Sequence, residues 1–458
     1  MMSTFSGLNT ALTGLRAQRQ GLELAGQNIT NANTEGYSRQ RVELTAVGGA
    51  TAAMYATAGT DTGGVVVSQV TRIRDAYLEA RGHTEHERQA GLGQQYLVIS
   101  EIERVFSEPS VNGLQAKLSQ LSDGFADVAD SPGDSAARTQ LLTRASIVTA
   151  SLNSSATELS GQYTARRDQL TATVDEVNNA AARLAALNET VSRATLAGVS
   201  TSELSDQRDL LAMHLVELTG GTVSRGPNNS LNVSIGGSPL VSGITARSLV
   251  ATGSTTLAGQ AGDPVGLRWS DTNTAAGPVG GQIGAQLGSL NTTLPSYLGD
   301  LDRVAATLAS SVNGLHTTGY TSAGAQGGAF FSGTTAASIS VAITDPSAVA
   351  VSSSASLALD GGVGDRLAQL GGTAGSADDV YRVVVSRLGG HVQSTEQLLN
   401  TQNAITNQVD SARLSSAGVN IDEELTSMLT YQRAYEASAR TMSAIDSMLD
   451  TLINRTGV

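Results

Sequence analysis

The chain has 458 residues, no cysteine, a single lysine and a net charge of −13. Its length predicts more than one domain, its acidity excludes a cationic groove for nucleic acid, and its lack of cysteine excludes disulfides and thiolate metal sites. Because aromatic residues make up only 3% of the chain, we expect long thin helices with aliphatic cores.

The first predicted element is an amphipathic helix over residues 5–33. Its apolar side chains follow the three-and-four spacing of helices that pack along their length. They are Leu8, Leu12, Leu15, Leu22 and Ile29. Turn-favouring residues, Asn31 and Asn33 among them, end this helix. Because the stripe has no apolar partner nearby in sequence, it is predicted to pack against the last helix of the chain or against neighbouring subunits.

A rod of long helices is predicted next, after a glycine-flanked loop that contains a short strand at residues 65–67. One helical pattern begins near Asp75 and ends before Pro109. The next helix is predicted over about residues 135–195, a length on the order of 90 Å. Such a rod needs antiparallel companions. The candidates are the helix before Pro109, residues 298–312 and residues 378–414.

A β-rich insertion is predicted over residues 221–283, where the apolar period changes from helical to two. Leu231, Val233 and Ile235 alternate with polar residues and are bounded by glycine, proline and asparagine. Residues 339–343 alternate in the same way. They either join the same sheet or cap the rod.

The last predicted element is a second amphipathic helix that begins at Ile421. Its apolar stripe has the same spacing as the first and consists of Leu425, Met428, Tyr435, Ala439, Met442 and Leu449. The acidic residues Asp422, Glu423 and Glu424 fit its N-terminus, where the helix dipole favours negative charge. Tyr435 is interpreted as part of a seam between subunits.

These elements predict a mainly α fold with a β insertion, divided into three parts. The terminal helices pair as a coiled-coil-like terminal domain, long helices form a rod domain, and a small outer β domain completes the chain. The terminal domain comprises residues 1–60 and 415–458. The rod comprises residues 61–220, 284–326 and 356–414, and the outer domain comprises residues 221–283 with 327–355.

No catalytic, cofactor or metal site is predicted. His83 and His86 are three residues apart, which on a helix places two imidazoles on one side. They lack a third ligand at a recognisable spacing, and a solvated polar face is the preferred interpretation. The glycine-rich run from Gly277 to Gly288 does not match a dinucleotide fingerprint and is interpreted as turns and close backbone packing. The residues therefore point to assembly rather than to chemistry.

The two ends of the chain resemble axial proteins of the bacterial flagellum. The stretch GQNITNANTEGYSRQ is similar to the N-terminal signature of rod, hook and junction proteins. Its matching residues are Asn28, Ile29, Asn31, Asn33, Thr34, Gly36 and Tyr37. The stretches SSAGVNIDEELTSMLTYQRAYEASAR, LSDQRDLL and LDRVAATLASSVNGLHTTGY resemble the hook-filament junction family in particular. Thr30 departs from the small alanine of the signature, and the chain is not expected to carry the additional outer domain of longer members.

The resemblance implies a structural protein of the flagellum and not an enzyme. It implies that the chain leaves the cell through the flagellar export apparatus without a cleaved signal peptide and acts outside the cell. The implied partners are the hook protein, a second junction protein, an export chaperone at the C-terminal helix, and further copies of the chain in a ring. Binding to nucleic acid and insertion into a membrane are not expected.

The hypothesis for assembly is that the terminal helices pair antiparallel and form the inner layer of a tube. The predicted interface consists of the two apolar stripes with Asn31, Asn33 and Tyr37. Two alternatives stay open at this point. In the first alternative, the chain is another axial protein, either flagellin or the hook protein. In the second, it is a secreted adhesin or enzyme with its activity in the β-insertion.

Overall fold

The structure, a computed structural model, describes residues 4–47, 63–357 and 359–454. Within these ranges the chain is mainly helical, with small antiparallel sheets. The α-helices are α1 (Thr4–Thr30), α2 (Ala76–Phe106), α3 (Leu114–Asp130), α4 (Ser135–Leu196), α5 (Ser202–Thr219), α6 (Gly281–Gly288), α7 (Leu294–His316), α8 (Gly362–Gln369), α9 (Ala377–Ala417) and α10 (Ile421–Asn454). The β-strands are β1 (Gln40–Val47), β2 (Gly64–Arg72), β3 (Thr222–Arg225), β4 (Leu231–Ile235), β5 (Ser238–Ser242), β6 (Thr245–Ala246), β7 (Leu249–Thr252), β8 (Gly266–Trp269), β9 (Phe331–Ser332) and β10 (Ser340–Val341).

The central element of the fold is α4, which runs for 62 residues. It begins where the Asp134 carboxylate accepts a hydrogen bond from the Ala136 N–H at 2.8 Å, as an N-cap should. The prediction of one helix over about residues 135–195 is confirmed. Leu141, Leu159 and Leu184 are fully buried along one side of it, so a single continuous core follows this helix.

Several other helices pack along α4. α3 and α7 lie along it, and α5 returns antiparallel beside its C-terminal part. Of these, α7 contains the predicted companion at residues 298–312, whereas α3 was not predicted. The predicted companion before Pro109 is α2, which contacts α4 but packs mainly along α9. The third predicted companion was residues 378–414. Helix α9, which contains them, packs instead mainly along α2 and α7, so the prediction of α4 as its partner is wrong. The reason is that the C-terminal half of α9 buries polar side chains, which pair with polar side chains of α2.

The β-rich segments form separate layers rather than one sheet. Strands β3 to β6 make a four-stranded antiparallel sheet, β7 pairs with β8, and β9 pairs with β10. Asn188 of α4 donates a hydrogen bond to the four-stranded sheet, and Asn178 donates one to the β7 and β8 pair. Asn153 instead donates to the Ala336 carbonyl beside β10 at 2.7 Å. Asn153 and Asn178 are about 37 Å apart along the helix. The alternative in which residues 339–343 join the sheet of residues 231–235 is therefore wrong. The grouping of both segments in one outer domain remains a prediction.

A long antiparallel pair of strands, β1 and β2, packs on α1. A strand at residues 65–67 was predicted and lies within β2, but β1 was not predicted. The glycines at positions 48 and 49, which were expected to flank a loop here, lie outside the described residues. In the described part of the chain, no helix combines the length and the apolar character needed to cross a bilayer.

Candidate assembly interface

The terminal helices α1 and α10 pack against each other, antiparallel, along most of their length. The close contacts recur once per heptad and each joins a glycine of α1 to a side chain of α10: Gly7 to Ile445, Gly14 to Ser438, and Gly21 to Tyr431. A Cβ atom added at Gly21 would lie 2.6 Å from Tyr431 Cε1, closer than two carbon atoms approach without repulsion. At this position the seam therefore depends on a residue without a side chain.

The fourth heptad of this seam is polar. The Asn28 amide Nδ2 donates to Glu424 Oε2 at 3.0 Å and to the Gln40 carbonyl at 3.0 Å. Its Oδ1 accepts from the Gln40 N–H at 3.1 Å and from the Tyr37 hydroxyl at 2.8 Å. Arg39 Nε donates to the other oxygen of Glu424 at 2.7 Å. Asn28 and Glu424 are only 1% and 3% exposed, so these bonds satisfy polar groups that have lost water.

The predicted apolar stripe of α1 lies beside this seam and not at its centre. Each of four members follows a seam residue by one position: Leu8, Leu15, Leu22 and Ile29. Together with Leu12 they are half-buried. The almost fully buried residues of this part of α1 are smaller ones such as Ala11 and Ala25, at 6% and 2% exposure.

The predicted stripe of α10 has the same relation to the seam. All six members stand one or four positions after a seam residue, and they are Leu425, Met428, Tyr435, Ala439, Met442 and Leu449. Leu425 and Tyr435 are 42% and 37% exposed, and the other four are half-buried. In an antiparallel pair, equivalent flanking positions of both helices project to the same side of the coil. The two stripes therefore form one apolar face, on the side of the coil away from β1 and β2.

The other three predicted interface residues follow α1. The Asn31 amide donates to the Gln27 carbonyl at 3.1 Å, so it closes the end of the helix. Asn33 is exposed. Tyr37 contributes to the polar heptad through its bond to Asn28, and burial, followed by the charge of Asp206, raises its pKa to about 12. A role of the three residues in contacts between copies remains a prediction.

A buried carboxylate, Asp206 at the start of α5, joins the rod to the segment that follows α1. Its two oxygens accept from the Ser38 hydroxyl at 2.9 Å, the Ser38 N–H at 3.2 Å and Arg72 Nη1 at 2.7 Å. Arg74 Nη2 adds a contact of 3.2 Å. Burial by itself raises the pKa of neighbouring Asp209, but the surrounding guanidinium groups outweigh it and hold that pKa below its usual value. This cluster was not predicted from the sequence.

A histidine links three rod helices close to this cluster. His86 of α2 places Nδ1 3.0 Å from Glu217 Oε1 on α5 and Nε2 3.0 Å from Asp410 Oδ2 on α9. A neutral imidazole has one N–H, so only the imidazolium donates to both carboxylates. The hydrogen bond to Glu217, and after it the one to Asp410, raises the pKa of His86 despite burial. The pKa of Glu217 is lowered to about 2 by His214 and His86.

No catalytic constellation is assembled by these residues. His83 is half-buried, and this burial lowers its pKa, while both ring nitrogens of His86 already face carboxylates. Across the part of the chain that the structure describes, no cluster of three or more histidine, aspartate or glutamate side chains has the arrangement to hold a metal ion. The arrangement is suited to holding helices together.

Models of three protein families match the chain. The model described as the helical domain of flagellar hook-associated protein FlgK matches residues 99–331, just over half of the chain. The model of the flagella basal body rod protein matches residues 8–37, and the model of the flagellar basal body rod FlgEFG protein C-terminal matches residues 410–455. The last two segments contain most of α1 and α10.

Individual relatives carry the same description. The flagellar hook-associated protein 1 of Bacillus subtilis is 27% identical over 509 aligned residues, which span 100% of this chain and 99% of the relative. That of Salmonella typhimurium is 30% identical over 71% of this chain and 59% of the relative. The solved structure of the flagellar hook junction protein FlgK from Burkholderia pseudomallei has a TM-score of 0.65 at 15% identity, and the match covers 73% of this chain and 100% of that structure. The fold is therefore shared.

Proposed function

The chain belongs to the flagellar hook-associated protein FlgK family, and we propose that it performs its junction role by self-assembly through α1 and α10. It is a structural protein of the bacterial flagellum at the junction between hook and filament. In the proposal, the two terminal helices of each copy pair within the chain, and their apolar face then packs against the corresponding helices of neighbouring copies.

The observation that carries this proposal is the apolar face beside the glycine seam. It consists of large side chains on both helices that stay half-buried or exposed in the single chain. Full burial of one large apolar side chain contributes about 1.5 to 3 kcal/mol, so several such residues supply enough free energy to offset the entropy lost on association. A charged or polar surface would give no such gain.

The proposed partners follow from membership of the family. They are the hook protein on one side, the second junction protein on the other, an export chaperone that covers α10 before secretion, and further copies in a ring. We also propose that the chain is exported to the cell exterior without cleavage of a signal peptide. No enzymatic activity is proposed.

The proposal is tested by a pair of methionine substitutions in α10. Met428 lies on the apolar face, whereas Met448 lies three positions after the seam residue Ile445 and is 55% exposed on another side of the helix. Both are replaced by glutamine, which keeps helix propensity and length. Met428→Gln is expected to slow polymerisation of the purified protein and to reduce filament growth on hooks, with unchanged helical circular dichroism. Met448→Gln is expected to assemble like the parent.

Deletion of residues 421–458 is the larger form of the same test. The rod is expected to keep its cooperative unfolding, because the α2, α4 and α7 contacts are left intact, while assembly is lost. Equal assembly by Met428→Gln and the parent, or filament growth with the deleted chain, would contradict a role for the terminal helices.

A further inference from the structure

The contacts between α1 and α10 define one register out of several that a heptad repeat allows. We infer that Asn28 and Glu424 are positioning residues, which select this register among the glycine contacts and hold α10 on the α1 of its own chain. Three observations carry this inference: the steric contacts of the glycines, the burial of the polar pair, and the short connection of α10 to the rod.

The glycines restrict how α10 lies on α1, but they do not choose a single register. The ring of Tyr431 occupies the space where a Cβ of Gly21 would be, so Tyr431 has to face a glycine. A shift by one heptad towards the N-terminus of α1 would place Tyr431 opposite Gly14, which also lacks a side chain. Steric fit at that position would be retained. A further determinant is therefore needed.

The polar pair supplies this determinant. After the same shift, Glu424 would face Gly21 and lose the Asn28 amide donor at 3.0 Å and Arg39 Nε at 2.7 Å. A carboxylate buried without donors is strongly disfavoured. The opposite shift would place Tyr431 against Asn28, which has a side chain, and would move Glu424 past the end of α1 at Thr30. A single buried polar residue fixes coiled-coil register on the same principle.

The connection between α9 and α10 favours pairing within one chain. Three residues, 418–420, separate the two helices, and they span at most about 11 Å. The Arg39 N–H donates to the Ala417 carbonyl at 2.9 Å, so the residues that follow α1 contact the end of α9 directly. Glu424, one turn into α10, therefore reaches Asn28 of the same chain.

The consequence for assembly rests on the proposed function. In the observed register the stripe of Leu8, Leu15, Leu22 and Ile29 lies level with the stripe of α10, so that each copy presents one continuous apolar face. The register itself is a property of the lone chain and is measurable without assembly.

Disulfide trapping tests the register directly, because the chain has no cysteine of its own. A Cβ at Gly14 would lie 3.4 Å from Ser438 Oγ, so Gly14→Cys with Ser438→Cys suits a disulfide. The shifted registers are tested by Gly14→Cys with Tyr431→Cys and by Gly14→Cys with Ile445→Cys. In dilute monomer under mild oxidation, the first pair is expected to form an intrachain disulfide at least tenfold faster than either other pair.

The positioning role is tested by repeating the experiment after substitution of the polar pair. When Asn28→Ala is added, the cysteine pair at Gly14 and Ser438 and the cysteine pair at Gly14 and Tyr431 are expected to form disulfides at rates within about threefold of each other. Glu424→Gln keeps an acceptor oxygen for Asn28 and is expected to preserve the preference. Equal rates in the parent, an unchanged preference in Asn28→Ala, or disulfides formed mainly between chains would overturn the inference. A failure of assembly alone would count against the proposed function and not against the register.

A second set of variants avoids new cysteines. Gly21→Ala is expected to reduce the hydrogen-exchange protection of α10 at least tenfold, and addition of Tyr431→Ala is expected to restore most of it by vacating the space. Gly26→Ala is the matched control on the same helix, because nothing lies within 4 Å of a Cβ at that position. Equal effects of Gly21→Ala and Gly26→Ala would contradict the close contact on which the register depends.

Discussion

The two halves of the α2 and α9 pair are stabilised by different kinds of contact. In the distal half, far from the terminal helices, α2 buries Val98, Ile99, Ile102, Val105 and Phe106, and α9 buries Ala377, Tyr381, Val384 and Leu388. In the proximal half, beside the terminal helices, α2 buries Gly82, Glu85 and Gln94, and α9 buries Thr395, Gln402, Thr406 and Val409. The same two helices thus change from an apolar to a polar contact along their length.

The proximal contacts are directional. Gln402 Nε2 donates to Glu85 Oε2 at 2.9 Å, and Gln89 Nε2 donates to Asn403 Oδ1 at 2.9 Å. Hydrogen bonds of this kind contribute little net free energy but are costly to leave unmade, whereas burial of apolar surface stabilises in proportion to its area. The distal half therefore supplies most of the stability. The proximal half specifies how α9, and with it α10, leaves the rod.

The largest effect is expected at the connection between the proximal half and the terminal helices. Asp206→Ala removes the acceptor of four hydrogen bonds from Ser38, Arg72 and Arg74. Although Asp209 still pairs with both arginines, we expect a loss of about 3 to 5 kcal/mol in the free energy of unfolding, because bonds to charged groups are costly to leave unmade. Denaturant titration of the full chain measures it. Asp168→Ala, on an exposed position of α4, is the matched control and is expected to change stability by less than about 0.5 kcal/mol. Similar losses for both variants would show that the cluster does not stabilise the connection.

A cavity in the apolar core that the distal half shares with α4 is expected to cost slightly less and to respond differently to salt. Leu152 of α4 is fully buried, so Leu152→Ala should lower the free energy of unfolding by about 2 to 5 kcal/mol. Because no charge is involved, its effect relative to the parent should be the same in low and high salt, whereas the effect of Asp206→Ala should depend on salt. A salt-dependent loss in Leu152→Ala would contradict the division into an apolar and a polar half.

The sequence predicted the long rod elements well because they are amphipathic over many turns. Leu159, Leu170 and Leu184 recur on the buried side of α4, and the caps Asp134 and Asp75 lie directly before their helices. Periodicity identifies a helix and its buried side. It does not identify the partner of that side, which is why α9 was expected beside α4.

The parts that the sequence did not reveal depend on close approach or on distant pairs. Gly7, Gly14 and Gly21 recur at a spacing of seven residues, but glycine adds nothing to an apolar stripe. The larger leucines beside them were therefore interpreted as the contact between α1 and α10. The Arg72 and Asp206 pair is 134 residues apart in the chain, and no local pattern relates the two. The spacing of the glycines was a usable signal, because an antiparallel partner that approaches closely requires such a repeat.

A smaller effect is expected from pH, with opposite signs in the two halves. His86 in the proximal half faces Glu217 and Asp410, the second of which also accepts from Arg413, and its pKa is raised above the ordinary 6.5. Its contribution is therefore full below pH 6.5 and is lost as pH rises through the raised pKa. His316 in the distal half donates from Nδ1 to the Gly328 carbonyl at 2.7 Å and accepts the Ala350 N–H at Nε2. Burial, with Arg138 nearby, lowers its pKa, so its contribution is lost as pH falls.

Hydrogen exchange at matched intrinsic rates tests this difference. Between about pH 5.5 and 8, proximal α9 amides are expected to lose protection as pH rises, whereas amides next to His316 are expected to lose it as pH falls. His86→Gln removes the imidazolium bonds, at a cost of about 1 to 2 kcal/mol, and should abolish only the proximal response. A parallel response of both halves, or an unchanged proximal response in His86→Gln, would contradict the assigned protonation states.

The smallest effect concerns two equivalent helix caps. Asp75 accepts from the Tyr77 N–H at 2.9 Å at the proximal start of α2, and Asp134 accepts from the Ala136 N–H at 2.8 Å at the distal start of α4. Replacement of either by alanine is expected to cost about 1 kcal/mol. The loss of exchange protection should extend further in Asp75→Ala, because the polar contacts beyond the first turn of α2 resist fraying less than the apolar contacts along α4. Protection lost over equal lengths in both variants would mean that polar and apolar burial hold a helix end equally well here.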